Sequence, residues 1–327
     1  MRFINKSVGS GGKGTNDFIK NVIFEYFGNS FLEELRDGAL INLKKESIIT
    51  STDSFTVLPE FFPGGDIGKL SIYGTCNDVA VSGGIPEYLT LSLIIPDGYE
   101  MEKLLMIFDS MKRAIDEVGV KIISGDTKVI DGISSLIVNT TGFGELKSDL
   151  NCYDRIKVGD KVIFSSDIAR HSVAVLIARN ELGFSSDIES DCCNLYEIIR
   201  KLDYSKIKFV RDATRGGVAA VLNEIADKSG KGFLIKEQNI PILESVNYFC
   251  EMLGFDPLQM ANEGVAVIVV DRDYADEALA IIKESKNGKN AAIVGEVTDN
   301  TKVVLETKVG GKRYIEIPAG ELLPRIC

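Results

Sequence analysis

The sequence predicts an α/β protein of two domains followed by a short C-terminal tail. Its 327 residues are 45% hydrophobic and 26% charged, which is typical of a folded globular protein and enough for two cores. Apolar runs of strand length alternate with stretches that carry apolar residues at helical spacing, as in α/β domains. This periodicity lapses near residues 151–159. We therefore predict an N-terminal domain over 1–150, a C-terminal domain over 157–317 and a tail over 318–327.

Composition excludes several classes of function. The formal charge of −11 argues against a nucleic-acid-binding protein, because phosphate-backbone binding requires a basic surface. No apolar stretch is long enough to span a membrane and the first residues do not resemble a secretion signal, so we expect a cytoplasmic protein. The six cysteines form no C-x-x-C pair, which argues against a zinc site. His171 is the only histidine, and we expect it to have a structural or capping role.

The first half begins with a glycine-rich loop over residues 7–14, which precedes a helix predicted from Thr15 to Leu35. The loop is not a P-loop, because Gly14 rather than Ser or Thr follows Lys13. A loop that folds over a nucleotide and a simple turn both remain open. Asp66 is a natural N-cap for the next helix. The remaining predicted elements are strands over 47–53, 88–96, 120–124 and 134–140, and a helix whose core face repeats through 104–118.

Three aspartates, Asp53, Asp78 and Asp126, fall at or near the ends of these predicted elements. Side chains from separate segments can converge there, and carboxylate oxygens are suitable ligands for Mg²⁺ bound to nucleotide phosphates. Lys128 lies beside Asp126 and could add a positive charge to the same phosphates. The alternative is that each acid only caps a helix or occupies a turn.

The second half begins with a strand over 161–165 and a helix through 173–177, and later has strands over 265–270, 291–297 and 303–307. Two arginines and two glycines over 211–217 precede a predicted helix. The free backbone amides at the helix start, together with Arg215, could bind an anion. The alternative is a turn with surface charges. Glu263 stands at the entrance of an apolar strand. If it is buried there it is a candidate general base, and if not it is an ordinary exposed acid.

The tail ends at Cys327, and its proline and glycine content disfavours both a helix and a central strand. We interpret it as an extended arm whose thiol can enter or leave a site, with a frayed terminus as the alternative. Prenylation is disfavoured because no residues follow the cysteine. The thiol requires activation by a pocket or partner, because Arg325 only partly opposes the adjacent α-carboxylate.

Taken together, seven stretches resemble the HypE family of hydrogenase maturation factors. That family belongs to a superfamily with aminoimidazole ribonucleotide synthetase, selenophosphate synthetase and thiamine-monophosphate kinase. The likeness extends over essentially the whole chain, and the terminal PRIC is specific to HypE. The stretches are 52–54 (TDS), 61–70 (FFPGGDIGKL), 77–83 (NDVAVSG), 125–129 (GDTKV), 211–218 (RDATRGGV), 261–264 (ANEG) and 324–327 (PRIC).

The resemblance implies a PurM-like architecture, with an N-terminal sheet domain that forms a homodimer, a mixed α/β C-terminal domain and a mobile tail. It implies a carbamoyl dehydratase. A HypF-type carbamoyltransferase places a carbamoyl group on Cys327, and the enzyme spends ATP to convert the thiocarboxamide to a thiocyanate. The cyanide then passes to iron on a HypC–HypD complex during [NiFe] hydrogenase maturation.

Carried over by motif, the resemblance implies that Asp53, Asp78 and Asp126 bind Mg²⁺–ATP near the dimer interface, with Asp66 in the same shell. Lys128 would position phosphate or the carbamoyl oxygen, and Glu263 would take a proton from the amide nitrogen. We assign Arg215 to nucleotide binding as well.

Two positions depart from the family pattern. Val8 stands where family members commonly have a histidine, and Arg170-His171-Ser172 replaces part of a Gly-Asp-His-Gly turn. Neither departure affects the acids or the tail. Three other functions remain alternatives: a selenophosphate synthetase, disfavoured because the glycine-rich loop has no cysteine; a small-molecule synthetase or kinase, which would not need Cys327; and a non-enzymatic thiol carrier, which would not bind nucleotide.

Overall fold

The computed structural model of the chain describes residues 3–5, 8, 12–33, 39, 41–42, 47–179, 183, 186–318, 323 and 326–327. Half of the glycine-rich loop (7 and 9–11), the end of the first predicted helix (34–35) and most of the predicted tail (319–322 and 324–325) lie outside these ranges. Among the described residues, no helix combines the length and the apolarity needed to cross a membrane.

The described chain forms two large sheets with helices against them and one short two-stranded sheet, in which β2 pairs with β3. The strands are β1 (Ile48–Phe55), β2 (Phe61–Phe62), β3 (Gly65–Asp66), β4 (Gly84–Pro96), β5 (Lys121–Ile130), β6 (Ile137–Leu146), β7 (Lys161–Phe164), β8 (Ile207–Asp212), β9 (Gly232–Lys236), β10 (Ala266–Val270), β11 (Ala292–Thr298), β12 (Val303–Glu306) and β13 (Lys312–Tyr314). The helices are α1 (Gly12–Phe18), α2 (Phe24–Phe27), α3 (Ser30–Glu33), α4 (Ile67–Val81), α5 (Met101–Val118), α6 (Arg170–Arg179), α7 (Tyr196–Ile199), α8 (Gly217–Ser229), α9 (Glu244–Leu253) and α10 (Ala275–Lys283), with a π-helical turn at Ile19–Ile23.

The first sheet has the order β1-β6-β4-β5, in which only the β4–β5 pair is parallel. Alternation along the strands gives it two unlike faces. One face is buried against α4 and α5 through an apolar core that includes Leu91, Leu93 and Val138. The other face carries half-exposed or exposed side chains, and we call it the open face. Its members include Thr50, Thr52, Ser54, Tyr88, Ser92, Ile94, Asp126, Lys128, Ile137, Asn139, Thr141 and Phe143.

The second sheet has seven strands in the order β13-β12-β9-β11-β7-β10-β8, and it is antiparallel except for the β12–β9 pair. Its central strands are buried on both faces, as their continuous apolar sequences require. Alternate residues pack against α8 on one side and against α7 and α10 on the other. This sheet therefore forms the middle layer of the second half of the chain.

Helix α4 joins the two halves. Asp66 caps its first turn by accepting hydrogen bonds from the backbone N–H groups of Gly68 and Lys69 at 2.7 and 3.0 Å, which confirms the predicted N-cap. Near its other end, the Asn77 amide donates to the Cys193 carbonyl at 2.9 Å and accepts from the Leu195 N–H at 2.8 Å. The helix thus fixes Asp78 relative to both sheets.

The predicted helices and strands are found with shifted ends, and two details were wrong. The first helix is not continuous, because its helical segments are interrupted at Gly28 and Asn29. Asp126 and Lys128 do not follow a strand but lie within the ten-residue β5, because parallel pairing with β4 extends that strand from 121 to 130. Asp53 likewise lies inside β1 and Asp78 inside α4.

Candidate functional site

A polar cavity of about 540 Å³ lies between the first sheet, α4 and the strand-to-helix turn after β8. Acidic residues dominate its charged lining, and two arginines and a thiol accompany them. Its chemically active lining residues are Ser51, Asp53, Asp78, Arg211, Asp212, Arg215, Glu224, Glu263 and Cys327. The structure therefore brings together five of the predicted site residues, which are Asp53, Asp78, Arg215, Glu263 and Cys327.

Two of the acids are held by a reciprocal pair of hydrogen bonds between β1 and α4. The Ser51 hydroxyl of β1 donates to Asp78 Oδ2 at 2.6 Å, and the Thr75 hydroxyl of α4 donates to Asp53 Oδ2 at 2.9 Å. Each acid is thus oriented by a hydroxyl two or three residues from the other acid. This arrangement fixes both carboxylates at one wall of the cavity.

Asp212, at the end of β8, brings a third carboxyl group to the same cavity. Burial raises the pKa of Asp78, and the charges of Asp212 and Asp53 raise it further. The pKa of Asp212 is raised by burial and by Asp53, although Arg211 opposes the shift. These carboxyl groups repel one another when ionised, so a bound cation would stabilise their charged forms.

Glu263 is buried in the loop before β10. The backbone N–H groups of Glu263 and Gly264 donate to Asp191 Oδ2 at 3.1 and 2.9 Å, which holds the loop in place. Burial raises the pKa of Glu263 well above its usual value, and the charges of Asp191, Asp212 and Asp78 add to the shift. A carboxyl group in such an environment is a strong base once ionised.

Cys327 lies with its side chain in this cavity. Its main-chain oxygen accepts hydrogen bonds from the Thr56 N–H at 3.1 Å and the Thr56 hydroxyl at 3.3 Å. Burial and the charge of Glu263 raise the pKa of the thiol, whereas a hydrogen bond and the positive charge from Arg215 lower it. The same contact raises the pKa of Arg215. The cationic side chain beside the thiol is therefore that of Arg215.

Within one chain, the structure does not bring Asp126 and Lys128 into the cavity. Their side chains form an ion pair of 3.1 Å and are 58% and 57% exposed. In the sheet register Asp126 lies opposite Ser92 of the open face, and β4 and β6 separate β5 from β1. Asp53 instead aligns with the buried Thr140 on the helix-covered face. The predicted roles of Asp126 and Lys128 stay predictions.

Asp66 is also apart from this cavity. It lines a separate depression with Arg113 and Lys69, and burial raises the pKa of its carboxyl group. Its backbone hydrogen bonds account for its position, and its predicted role in nucleotide binding stays a prediction.

The donor set fits Mg²⁺ only in combination with phosphate. Among the described residues, no group of three or more His, Cys, Asp or Glu side chains is arranged to hold a metal ion, so Asp53, Asp78 and Asp126 do not form a ligand trio within one chain. The charges of Asp212 and Asp53 nevertheless raise the pKa of Asp78, and the charge of Asp53 raises the pKa of Asp212, across an open cavity. One or two carboxylates supplemented by phosphate oxygens form the usual Mg²⁺ environment in nucleotide sites.

Sequence reasoning missed Asp212 and Asp191. Asp212 belongs to the 211–218 stretch from which only Arg215 was selected, and an acid directly after an apolar strand was the available signal. Asp191 precedes two buried cysteines, and nothing in the sequence connects it with Glu263, which lies 72 residues away. The expected structural role of His171 agrees with its complete burial and its two hydrogen bonds.

Comparison with known protein families finds a match for each half of the chain. Residues 35–146 match the family described as AIR synthase related protein, N-terminal domain, and residues 157–308 match the corresponding C-terminal domain. The carbamoyl dehydratase HypE of Escherichia coli is 39% identical to this chain over 336 aligned residues, and the alignment covers 100% of both chains.

Solved structures give the same result. A hydrogenase maturation protein HypE in complex with ATP superposes with a TM-score of 0.94 at 38% identity, over 99% of each chain. The HypE chain of a HypE–HypF complex matches with a TM-score of 0.81 at 44% identity, over 92% of this chain and 99% of that one. The predicted two-domain, PurM-like α/β architecture is therefore confirmed. The chain belongs to the HypE family of carbamoyl dehydratases and is an enzyme of that family.

Proposed function

We propose that this enzyme uses ATP to dehydrate an S-carbamoyl group carried by its own Cys327, which yields a thiocyanate. The observation that supports this most directly is that Cys327 and Glu263 line one cavity with Asp53, Asp78 and Asp212. A candidate base, a cluster of phosphate-compatible acids and the substrate-bearing sulfur thus occur in one place. A synthetase or kinase acting on a free small molecule would not require Cys327 to lie in this cavity.

The proposed reaction balances as follows. The carbamoyl oxygen attacks the γ-phosphorus of ATP, ADP leaves, and the nitrogen loses one proton to give an S-bound imidoyl phosphate. Loss of the second nitrogen proton then breaks the C–O bond, which releases phosphate and leaves S–C≡N. Glu263 is the group on this chain that accepts a nitrogen proton, because its raised pKa makes its ionised form a strong base. Arg215 stabilises negative charge beside the sulfur-bound group.

Asp53 and Asp78 are the residues that would hold Mg²⁺, together with phosphate oxygens, and Asp212 would contribute to the same negative field. When bound, Mg²⁺ would neutralise charge on the phosphates during transfer. The Ser51 hydroxyl orients Asp78 and the Thr75 hydroxyl orients Asp53.

A second copy of the chain is part of the proposal. The open face of the first sheet includes the exposed Ile48 and Ile130, and an uncovered sheet face with apolar residues favours association. Asp126 and Lys128 lie on this face, so stacking of two such faces would carry them towards the partner's nucleotide. Their predicted roles in binding and positioning phosphate are then fulfilled across the dimer.

The reaction also needs other proteins. A relative is known in a HypE–HypF complex, and we propose that a HypF-type protein carbamoylates Cys327 here. A HypC–HypD complex would then accept the cyanide for the iron of [NiFe] hydrogenase in the cytoplasm.

Peptide mass spectrometry tests the proposal. The protein is S-carbamoylated by a HypF-type partner and analysed before and after addition of Mg²⁺–ATP. We expect the peptide ending at Cys327 to lose the mass of one water molecule, while the Cys152 peptide of the same sample is unchanged. A carbamoylated, nucleotide-bound protein whose Cys327 peptide keeps its mass would exclude the proposed reaction.

A further inference from the structure

Main-chain contacts from both halves of the molecule hold the last two residues. From the C-terminal half, the imidazole of His171 lies with Nε2 at 2.7 Å from the Ile326 carbonyl oxygen. From the N-terminal half, the Thr56 N–H and hydroxyl donate to the main-chain oxygen of Cys327 at 3.1 and 3.3 Å. Each of the two residues therefore has its own main-chain partner.

A hydrogen-bond chain determines which nitrogen of His171 carries the proton. The Ile326 carbonyl oxygen can only accept a hydrogen bond, so the contact at 2.7 Å requires the proton on His171 Nε2. Nδ1 of the neutral ring is then an acceptor. The Ser190 hydroxyl, whose oxygen accepts the Cys192 N–H at 3.0 Å, donates its own proton to Nδ1 at 2.8 Å. Burial lowers the pKa of His171, although Asp191 opposes the shift, which agrees with a neutral ring.

The imidazole is rigidly placed. His171 is fully buried at the start of α6, and the Phe62 ring packs edge-on against it with 5.3 Å between ring centroids. Ser190 is anchored by its own N–H, which donates to the Pro63 carbonyl at 2.8 Å. Residues of both halves thus fix the group that receives the tail.

The side chains of Ile326 and Cys327 lie in different environments. Ile326 is 6% exposed and packs into the core of the first domain, so it serves as an apolar anchor. The Cys327 side chain is left in the cavity beside Arg215 and Glu263. The direction of the thiol is therefore determined by contacts made on the preceding main chain.

We propose that His171, Ser190 and Thr56 form a main-chain clamp, which we call the tail clamp, and that it positions the Cys327 side chain at Glu263. The clamp rests on the proposed function, in which Cys327 carries the reacting group. Its residues act through the backbone of the tail, so they are positioning residues. The clamp recognises an extended dipeptide rather than the thiol, and it therefore accepts the free, carbamoylated and cyanated forms of Cys327 alike.

The single histidine makes the first test possible in the unmodified protein. Nitrogen-15 NMR of the histidine-labelled full chain reports the protonation of both ring nitrogens without assignment ambiguity. We expect a neutral ring with the proton on Nε2, and we expect that proton to be protected from exchange with water. A ring protonated on Nδ1 instead would overturn the clamp.

The second test measures thiol accessibility in variants. Each full-length protein is treated briefly with iodoacetamide, and alkylation of Cys327 is compared with alkylation of Cys152, which is also partly exposed. His171→Phe keeps a buried ring but removes the donor, and we expect the Cys327 rate to rise about fivefold or more, as loss of a buried hydrogen bond implies. His171→Gln can donate from a similar position and should restore most of the protection.

Thr56→Val and Thr52→Val form a matched pair for the second contact. Thr56→Val loses one of two hydrogen bonds to Cys327, so we expect a smaller rise in the Cys327 alkylation rate than in His171→Phe. Thr52 lies on β1, four residues before Thr56, but its hydroxyl donates to the Thr140 carbonyl at 3.2 Å, so Thr52→Val should leave the rate unchanged. Equal Cys327 rates in wild type, His171→Phe and Thr56→Val, with Cys152 unchanged, would contradict the clamp.

Catalysis provides an independent readout. In a single turnover of the carbamoylated protein, His171→Phe should lower the rate about fivefold without changing the ATP concentration that gives half the maximal rate. A weakened ATP dependence with an unchanged maximal rate would contradict positioning. Because NMR and alkylation need no turnover, a clamped protein that fails to dehydrate its carbamoyl group would refute the proposed function and leave the clamp intact.

Discussion

Glu263 is buried close to several other acidic side chains, and this environment determines its acid–base properties. Its loop is held by two backbone hydrogen bonds to Asp191, and the charges of Asp191, Asp212 and Asp78 all raise its pKa. The carboxyl group is therefore reluctant to ionise and basic once it has ionised. These are the properties needed to remove a proton from an amide nitrogen that is activated by phosphorylation.

Replacement of Glu263 by Gln should abolish proton transfer and preserve the shape of the site. We expect the single-turnover dehydration rate of the carbamoylated protein to fall about a hundredfold or more, with ATP binding retained. Glu224→Gln is the matched control, because Glu224 lines the same cavity but pairs with Arg211 at 2.5 Å. Equal losses in the two variants would contradict a specific role for Glu263.

The raised pKa of Asp78 predicts a pH-dependent stability. The folded protein keeps the Asp78 proton at pH values where the unfolded chain has released it, so folding binds a proton in this range. Stability from this group is therefore lost as the pH rises from about 4, the ordinary aspartate pKa, through the raised folded value. Asp78→Asn removes this loss, and its stability relative to wild type should grow with pH to on the order of 2 kcal/mol at neutral pH.

Urea unfolding at several pH values in the absence of nucleotide measures this effect. Asp126→Asn provides the control, because it also removes one carboxylate, but one that is exposed on β5 and lies outside the cavity. A wild-type advantage over Asp78→Asn that increases with pH would show that the carboxylate is stabilised rather than strained in the folded protein.

Among the elements, the turn from β8 into α8 places both Asp212 and Arg215. Gly216 and Gly217 allow this turn, since their φ angles are +74° and +59°. Gly217 has a second constraint, because a Cβ atom there would lie 2.5 Å from the Met260 carbonyl oxygen. Of the two glycines seen in the sequence before this helix, Gly217 therefore serves a close backbone approach to the loop before Glu263, and Gly216 supplies the left-handed N-cap of α8.

Gly217→Ala should accordingly destabilise the protein by more than the conformational cost alone. We expect a loss of about 3 kcal/mol or more, compared with about 1–2 kcal/mol for Gly230→Ala at the other end of α8. Gly230 also has a positive φ, +66°, but an added Cβ would meet nothing within 4 Å. Chemical denaturation of both variants separates the steric effect from the backbone effect, and equal losses would contradict it.

Predictability from sequence also differs between elements. The apolar periodicity predicted α5 and the strands of both halves, and Asp66 predicted the start of α4 correctly. The length of β5 was not predictable, because its residues are polar and only its pairing with β4 makes them a strand. The convergence of Asp53, Asp78 and Glu263 depends on how the two halves meet, which spacing alone does not encode.

At the scale of the whole molecule, the predicted site residues of the first half lie on opposite faces of one sheet. Asp53 faces α4, whereas Asp126 and Lys128 lie on the open face, with two strands between. Only the family resemblance, which implies a homodimer, predicted all of them at one nucleotide. The division of the chain at 150 and 157, like the dimer, stays a prediction.

Charge introduced on the open face should dissociate the proposed dimer. Phe143 lies near the middle of this face on β6, so Phe143→Glu should convert the protein from dimer to monomer in analytical ultracentrifugation. Tyr248→Glu is the control, because Tyr248 is 67% exposed on α9, far from this sheet in the chain order, and should leave the dimer intact. Dimers that persist in Phe143→Glu would exclude association through the open face.

Mixed dimers test whether Lys128 acts on the partner's site. Lys128→Ala and Glu263→Gln are each expected to be inactive. After subunit exchange in equal amounts, half of the dimers are mixed, and each has one complete site if Lys128 acts across the interface. About a quarter of wild-type activity should then return. If Lys128 served its own chain, mixing would restore nothing.

The fate of the carbamoyl oxygen tests the central claim most directly. The protein is carbamoylated at Cys327 with a group whose oxygen is isotopically heavy, and Mg²⁺–ATP is then added for a single turnover. The masses of the released phosphate and of the Cys327 peptide are measured by mass spectrometry. Phosphorylation of the amide predicts one heavy oxygen in the phosphate and a cyanated peptide without label. Unlabelled phosphate, or heavy oxygen retained on the peptide, would contradict ATP-driven dehydration at Cys327.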